Sequence, residues 1–264
     1  MDLKLNGKKA LVTGSTAGIG FAIADVLARE GTSVIVNGRT QERVDSAIEK
    51  IKNATPDADI LGVAADVSTA AGVKTVTDFA PEVEILINNM GIFEPVAFAE
   101  ISDEDWFRFF EANVMSGVRL SRFYFPKMIA KDWGRIIFIS SESAVNIPSE
   151  MIHYGMTKTA QIAIARGLAE TTVGTKVTVN TILPGPTASE GVTTFVTQLA
   201  EQQNISNEEM EKQFFETARP SSLLNRFIEP REIAEFTAFI SSPLSAATNG
   251  AALRVEGGLL RSIT

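Results

Sequence analysis

The strongest constraint on the fold is an alternation of short apolar runs with segments of helical spacing. The first unit has an apolar run at residues 9–13, a glycine-rich turn at 14–20, a helical pattern, and a second apolar run at 33–37. A short apolar run bounded by turn residues is typical of a strand buried on both faces of a parallel sheet. The unit therefore predicts two parallel strands joined by a helix.

The same alternation extends over most of the chain. Further apolar runs predict strands at residues 60–65, 83–87, 134–140, 176–182 and 251–255. Repeated strand–helix units predict an α/β fold, a Rossmann-like doubly wound domain with helices on both faces of a parallel sheet. Ligands of such folds bind at the carboxyl ends of the strands. The chain has no internal repeat or linker, so residues 1–264 are expected to form a single domain.

Residues 188–228 depart from this rhythm. Phe195, Phe214, Phe215 and Phe227 lie there among many acids and amides. An insertion at the carboxyl end of a strand is where a lid or a pocket wall is expected. The phenylalanines are compatible with a partly apolar ligand, and equally with packing of the lid on the core.

Composition excludes several classes of function. The net charge of −8 argues against a nucleic-acid partner or an anionic membrane surface. The chain has no Cys and one His, which excludes disulfides, thiolate chemistry and a His-based metal cluster. No stretch approaches the ~20 apolar residues of a membrane span, and the N-terminus lacks a signal peptide. We therefore expect a cytoplasmic protein without a metal, a nucleic-acid partner or a membrane.

The glycine-rich turn predicts a phosphate site. Its glycines allow a tight turn and a close approach of the backbone, and the helix that follows offers free N–H groups to a pyrophosphate. The spacing Gly-x-x-x-Gly-x-Gly differs from the commoner Gly-x-Gly-x-x-Gly. The residues of this turn are Gly14, Ser15, Thr16, Ala17, Gly18, Ile19 and Gly20.

The end of the second strand discriminates between cofactors. An acidic residue there would bind the adenosine ribose and repel a 2′-phosphate, but this chain has Asn37-Gly38-Arg39. Arg39 can offer a planar fork to a phosphate, and Ser15 and Asn37 can add neutral hydrogen bonds. The pattern favours NADP(H) over NAD(H). The alternative is that Arg39 only faces solvent in a loop.

Tyr154 and Lys158 are four positions apart, so a helix would place them on one face. An adjacent ammonium favours the phenolate, which would lower the pKa of Tyr154 towards a catalytic range. Ser141 follows a predicted strand and can point at the same place. Asn113, on a mostly apolar helix face, needs a partner, which nearby backbone could supply.

Together these residues resemble the short-chain dehydrogenases/reductases over essentially the whole chain. Each match is weak alone, but their order and spacing are highly specific. The resemblance implies about seven parallel strands, hydride transfer between NADP(H) and a carbonyl or secondary alcohol, and a homotetramer. The matching residues are Thr13, Gly14, Gly18, Ile19, Gly20, Asp66, Asn88, Asn89, Gly91, Asn113, Ser141, Tyr154, Lys158, Pro184, Gly185, Gly257 and Gly258.

The resemblance also implies roles for single residues. Tyr154 is the expected general acid or base, Lys158 lowers its pKa and binds the nicotinamide ribose, and Ser141 polarises the substrate carbonyl. Asn113 is expected to hold a water of a proton relay. Together with Asn37 and Arg39, the implied cofactor contacts are Gly14, Ser15, Thr16, Gly18, Ile19, Gly20, Asp66, Val67, Asn88, Gly91, Tyr154, Lys158, Pro184, Gly185 and Thr187.

Met90 and His153 are among the residues that depart from the family pattern, together with the minor changes at Ser189 and Glu256. Met90 stands where a small Ala is usual, so it either repacks the sheet edge or crowds the cofactor. His153 is outside the pattern and is expected at a pocket rim or the surface. Two other functions remain open: an NAD(H)-linked polyol or sugar-acid dehydrogenase, and a nucleotide-binding regulator that lacks catalysis.

Overall fold

A computed structural model describes residues 1–263, except for the side chain of Phe195. Within these residues seven parallel strands form one sheet, in the order β3-β2-β1-β4-β5-β6-β7. This confirms the predicted doubly wound parallel fold. The strands are β1 (Lys9–Val12), β2 (Ser33–Gly38), β3 (Ile60–Ala64), β4 (Ile85–Asn88), β5 (Gly134–Ile139), β6 (Val177–Pro184) and β7 (Ala252–Val255).

Helices cover both faces of the sheet. They are α1 (Gly18–Arg29), α2 (Gln41–Ala54), α3 (Ala70–Phe79), α4 (Asp103–Phe110), α5 (Ser116–Ala130), α6 (Ile152–Glu170), α7 (Glu190–Gln203), α8 (Asn207–Thr217) and α9 (Pro230–Ser241). The apolar side chains of α1, α2 and α9 pack in one core, and those of α3, α5 and α6 pack in a second core. Side chains of one strand alternate between the cores, since Ala10 and Val12 join the first and Leu11 joins the second.

The segment Glu111–Met115 forms a π-helical turn between α4 and α5. Such turns break the regular i→i−4 ladder and are frequent at functional sites. Asn113 lies in this turn and is buried. The candidate residue Asn113 therefore lies where a π-helical turn joins α4 to α5.

Helices α7 and α8 form most of the departure at residues 188–228, and they pack on a small core of their own. Phe215 and Phe227 are buried in it, and the rings of Phe214 and Phe215 each lie 5.2 Å from that of Phe227. These three phenylalanines therefore pack the insert on itself, rather than packing a lid on the main core as one alternative predicted. The side chain of Phe195 and residue Thr264 lie outside the described structure.

Candidate active site

Two adjoining cavities open at the carboxyl ends of the first strands. The first, of about 280 Å³, lies over β1, β2, β3 and β4, and the second, of about 570 Å³, lies between the start of α1 and the start of α7. Four residues line both cavities, namely Ala17, Arg43, Asn89 and Gly91. The cavities together form a groove along the edge where ligands of this fold bind.

The glycine-rich turn shapes the floor of this groove. Gly14 and Gly18 have φ angles of 60° and 56°, which residues with a Cβ rarely adopt. A Cβ on Gly20 would lie 2.4 Å from the Gly14 carbonyl oxygen. In the described structure no side chain caps α1 at its N-cap residue Ala17, so the first N–H groups of the helix remain open to a ligand. These features fit the pyrophosphate of a dinucleotide.

The side chains of Ser15 and Asn37 are engaged inside the protein. The Ser15 hydroxyl is fully buried, donates to the Val12 carbonyl at 2.6 Å and accepts from the Asn37 N–H at 2.9 Å. The Asn37 amide donates both protons to backbone carbonyls, at 3.0 Å to Ala65 and 3.2 Å to Val63. The expectation that these two side chains donate to a phosphate is therefore wrong. They hold the glycine turn against β2 and β3.

Arg39 and Arg43 both line the first cavity. Arg39 is exposed just after β2, and Arg43 lies in the first turn of α2, where Thr40 caps the helix. Arg43 also lies 3.5 Å from Glu190 of α7 in an exposed ion pair. The sequence analysis missed Arg43, although its place in the first turn of the helix that follows β2 was a usable signal.

The ends of β3 and β4 supply the opposite wall. Asp66 and Val67 line the first cavity, and Asp66 Oδ1 also accepts from the Ser68 N–H and hydroxyl. Asn88 is buried with its amide directed to Ser121 at 3.1 Å, and it is not among the residues that line the first cavity. Asn89, the next residue, lines both cavities instead.

Thr16 and Met90 also line the first cavity, while Ile19 lines the second. The partly buried Met90 packs against the second core as well. Both possibilities raised for this residue, repacking at the sheet edge and proximity to the cofactor, are thus compatible with its place.

The turn after β6 places three expected cofactor contacts beyond the two cavities. Pro184 and Gly185 are buried at the end of β6, and a Cβ on Gly185 would lie 2.8 Å from Glu256. The buried Thr187 hydroxyl donates to the Gly185 carbonyl at 2.8 Å. The turn is held by these contacts, and Ser189 just after it lines the second cavity.

Tyr154 and Lys158 lie on one face of α6, as their spacing predicts. Lys158 Nζ lies 5.6 Å from the centroid of the Tyr154 ring and donates to the Ile139 carbonyl at 2.9 Å. Burial lowers the pKa of Lys158 to about 8. A Cβ on Gly91 would lie 3.3 Å from this amine. The amine therefore adjoins the groove, because Gly91 lines both cavities.

The pKa of Tyr154 is raised above its ordinary value of 10.0, chiefly by burial. Contact with the Ser141 hydroxyl lowers it, the charge of Glu142 raises it and that of Arg219 lowers it. The expected lowering by Lys158 is therefore wrong for this structure, in which the amine faces the Ile139 carbonyl.

Ser141 follows β5 and lies beside Tyr154, as expected. Its hydroxyl donates to Glu142 Oε2 at 2.5 Å and accepts from the Ser143 N–H at 3.1 Å. Glu142 is 4% exposed and forms an ion pair with Arg219, Nε to Oε1, at 3.2 Å. Sequence reasoning missed this pair, since 77 positions separate its members.

Asn113 is satisfied by its surroundings, as the alternative for this residue predicted. Its amide exchanges hydrogen bonds with the Ile92 backbone and donates to the Thr157 hydroxyl at 2.9 Å. Its backbone carbonyl oxygen accepts from Gln161 Nε2 at 2.5 Å. Asn113 thus ties the π-helical turn both to α6 and to Ile92, the residue after Gly91.

His153 is fully buried, so the expectation of a rim or surface position is wrong. Its ring packs 3.9 Å from that of Phe109 and 5.9 Å from that of Trp106, between α4 and α6. Within residues 1–263 neither ring nitrogen has a hydrogen-bond partner. Burial lowers the pKa of His153.

Comparisons with known proteins agree with the fold and the site. Residues 8–200 match the short chain dehydrogenase family. The chain is 52% identical to the uncharacterized oxidoreductase YvaG of Bacillus subtilis (strain 168) over 263 residues, 100% of both chains. It is 32% identical to D-beta-hydroxybutyrate dehydrogenase of Cupriavidus necator over 96% of this chain and 98% of that protein.

A solved structure extends the comparison. L-sorbose reductase from Gluconobacter frateurii, complexed with NADPH and L-sorbose, matches 100% of both chains with a TM-score of 0.93 at 30% identity. The chain therefore belongs to the short-chain dehydrogenase family, as its motifs predict. It is an oxidoreductase with a Rossmann-like nucleotide-binding fold.

Proposed function

We propose that the protein transfers a hydride between NADP(H) and a carbonyl or secondary alcohol substrate, with Tyr154 as the general acid or base. The observation that carries the proposal is the junction of the groove with the catalytic residues. Gly91 lines both cavities and lies against Lys158, while Phe93 lines the second cavity with its ring 6.4 Å from that of Tyr154.

The nicotinamide, when bound, supplies or accepts the hydride. Tyr154 then gives its phenolic proton to the forming alkoxide in reduction, or takes a proton from the alcohol in oxidation. Ser141 lies beside Tyr154, and its hydroxyl reaches the substrate oxygen by turning from Glu142 Oε2, its acceptor in this structure. Lys158, with a pKa lowered by burial to about 8, is protonated at neutral pH and holds a proton at its Nζ near Tyr154. Asn113 fixes the position of α6 relative to the segment that contains Gly91, through hydrogen bonds to Thr157 and Ile92.

NADP(H) is the preferred cofactor in this proposal. Two guanidinium groups, Arg39 and Arg43, line the cavity at the end of β2, where Asn37 replaces the acidic residue that would repel a 2′-phosphate. The structure of L-sorbose reductase from Gluconobacter frateurii, which resembles this chain, was solved in complex with NADPH and L-sorbose. An NAD(H)-linked polyol or sugar-acid dehydrogenase is the second candidate, and the two arginines count against it.

A regulator without catalysis is less well supported, because Ser141 and Lys158 both lie beside Tyr154, the combination that acid–base chemistry needs. Helices α7 and α8 are proposed as a lid, since four residues of α7 line the second cavity, namely Glu190, Gly191, Thr194 and Gln198.

No helix in the described part of the chain has the length and apolar character needed to span a membrane. A cytoplasmic location stays a prediction from the sequence.

A homotetramer is proposed for the assembly. Phe107 on α4 and Phe98 just before it are 70% and 62% exposed, which is unusual for large apolar side chains and typical of an interface. Light scattering of the purified protein is expected to give four times the chain mass. A monomer would contradict this part of the proposal.

The test of the function is oxidation of NADPH and of NADH, followed in parallel against a panel of ketones, aldehydes and keto sugars. NADPH consumption that depends on one carbonyl class supports the proposal. Consumption of NADH alone would refute the cofactor assignment. Tight binding of NADPH without turnover on any carbonyl would favour the regulator.

A further inference from the structure

Glu142 is a buried carboxylate that the proposed chemistry does not use. It directly follows Ser141, and its Oε2 accepts a hydrogen bond from the Ser141 hydroxyl at 2.5 Å. The same oxygen accepts from the N–H of Ser143 at 2.7 Å and from its hydroxyl at 3.1 Å. Glu142 therefore decides where the Ser141 proton points, because a hydroxyl has one proton to donate.

Arg219 holds the other carboxylate oxygen. Its Nε donates to Glu142 Oε1 at 3.2 Å, and its side chain is 11% exposed. The backbone N–H of Arg219 donates to the Phe214 carbonyl at 3.1 Å, which fixes the arginine to the end of α8. The ion pair thus connects the segment after β5 to the helical insert.

Stability alone is a weak reason for such a pair. A buried ion pair loses most of its attraction to the cost of removing both charges from water, and apolar replacements are often as stable. A buried pair that contacts the hydroxyl beside Tyr154 is better explained by a role in positioning.

We infer that Glu142 and Arg219 form a positioning pair, in which Glu142 orients the Ser141 hydroxyl and Arg219 fixes Glu142 to the insert formed by α7 and α8. This inference rests on the proposed function, in which Ser141 and Tyr154 act together on the substrate oxygen. It assigns two residues, distant in sequence, to the acid–base centre.

The charges around Tyr154 make the inference testable. Lys158 approaches it from its own helix, Glu142 from the segment after β5, and Arg219 from the end of α8. Glu142 raises the pKa of Tyr154 and Arg219 lowers it. Removing the charge of Glu142 should therefore shift the ionisation of Tyr154 to lower pH, and removing the charge of Arg219 should shift it to higher pH.

Alcohol oxidation is the informative reaction, because it needs Tyr154 as a base and rises with pH. In the pH profile of kcat, Glu142→Gln should move the rising limb to lower pH by about one pH unit, and Arg219→Gln should move it to higher pH by about the same amount. Glu142→Gln should also lower kcat/KM at the optimum roughly 10-fold, the size of one hydrogen bond to a charged group.

Glu150→Gln is the matched control. Glu150 lies 3.6 Å from Arg219, but it is half exposed and is not among the groups that act on Tyr154 within the described chain. Glu150→Gln should leave the rising limb of the kcat profile in place. The double variant Glu142→Gln/Arg219→Gln should have its rising limb close to the wild-type position. Circular dichroism establishes that each variant is folded. Folded single variants whose limbs stay in place, or move together, would overturn the inference.

A second readout does not need turnover. The chain has two tyrosines, so protein labelled with 13C at the tyrosine Cζ gives two signals, which Tyr154→Phe assigns. In alkaline titrations, ionisation of Tyr154 should begin at lower pH in Glu142→Gln and at higher pH in Arg219→Gln. Opposite shifts without any turnover would support the pair and refute the proposed function. The same onset in all variants would refute the pair.

Discussion

Replacement of Lys158 by Met should stabilise the protein at neutral pH while it abolishes turnover. Lys158 is 4% exposed, and burial lowers its pKa from 10.5 to about 8. Between these two values the unfolded chain binds a proton that the folded chain does not, so stability rises with pH in this window. Below pH 8 both states are protonated, and the folded state carries the full cost of the buried charge.

The magnitude follows from the two pKa values. Their difference is about 2.5, and each pKa unit corresponds to about 1.36 kcal/mol, so the buried ammonium costs roughly 3 kcal/mol at pH 7. The Met variant leaves the Ile139 carbonyl without its donor, which costs about 1–2 kcal/mol. The net expectation is a gain of roughly 1–2 kcal/mol at pH 7, and a loss of roughly 1 kcal/mol near pH 10.5, where Lys158 is neutral in the folded state and half ionised in the unfolded chain.

The assay is urea unfolding of Lys158→Met and wild type across pH 6.5 to 10.5, compared as the difference in free energy of unfolding. Lys176→Met serves as the control, because Lys176 is exposed and pairs with Asp132 at the surface. The difference for Lys158→Met should decrease as pH rises and change sign. A difference that stays constant over this range would refute the reasoning about the buried amine.

Three further predictions concern single side chains. Tyr154→Phe should reduce kcat by at least ~100-fold, the usual contribution of a general acid, with NADPH affinity unchanged by calorimetry. Arg39→Ala should weaken NADPH binding about 10-fold and leave NADH binding unchanged, because its fork meets only the 2′-phosphate; equal losses for both would contradict this. His153→Leu should stabilise the protein by about 1–2 kcal/mol in thermal unfolding, since it removes two buried nitrogens that have no hydrogen-bond partner within residues 1–263. A lower melting temperature would show that the ring is satisfied.

The sheet and the glycine turn were predictable because their signals are local. A short apolar run between turn residues predicts a buried strand. Glycines at 14, 18 and 20 indicate a turn whose backbone has positive φ angles or lies close to its neighbours. Helix spacing likewise placed Tyr154 and Lys158 on one face. Each of these inferences uses residues close together in the chain.

The remaining features depend on distant packing. The burial of His153 follows from the crossing of α4 over α6, which no local pattern shows. The pKa of Tyr154 is raised chiefly by burial, and the further influence of Glu142 and Arg219 comes from two residues that are 77 positions apart in the sequence. Ser15 looked free to bind phosphate because the sequence does not show that its hydroxyl reaches back to the Val12 carbonyl.

Direct detection of hydride transfer tests the central claim. We would incubate the enzyme with a ketone that it accepts and with NADPH carrying deuterium at both C4 positions, and analyse the alcohol by mass spectrometry. The account predicts one deuterium on the carbinol carbon with wild-type protein and almost no product with Tyr154→Phe. Alcohol without deuterium, or full turnover by Tyr154→Phe, would contradict it.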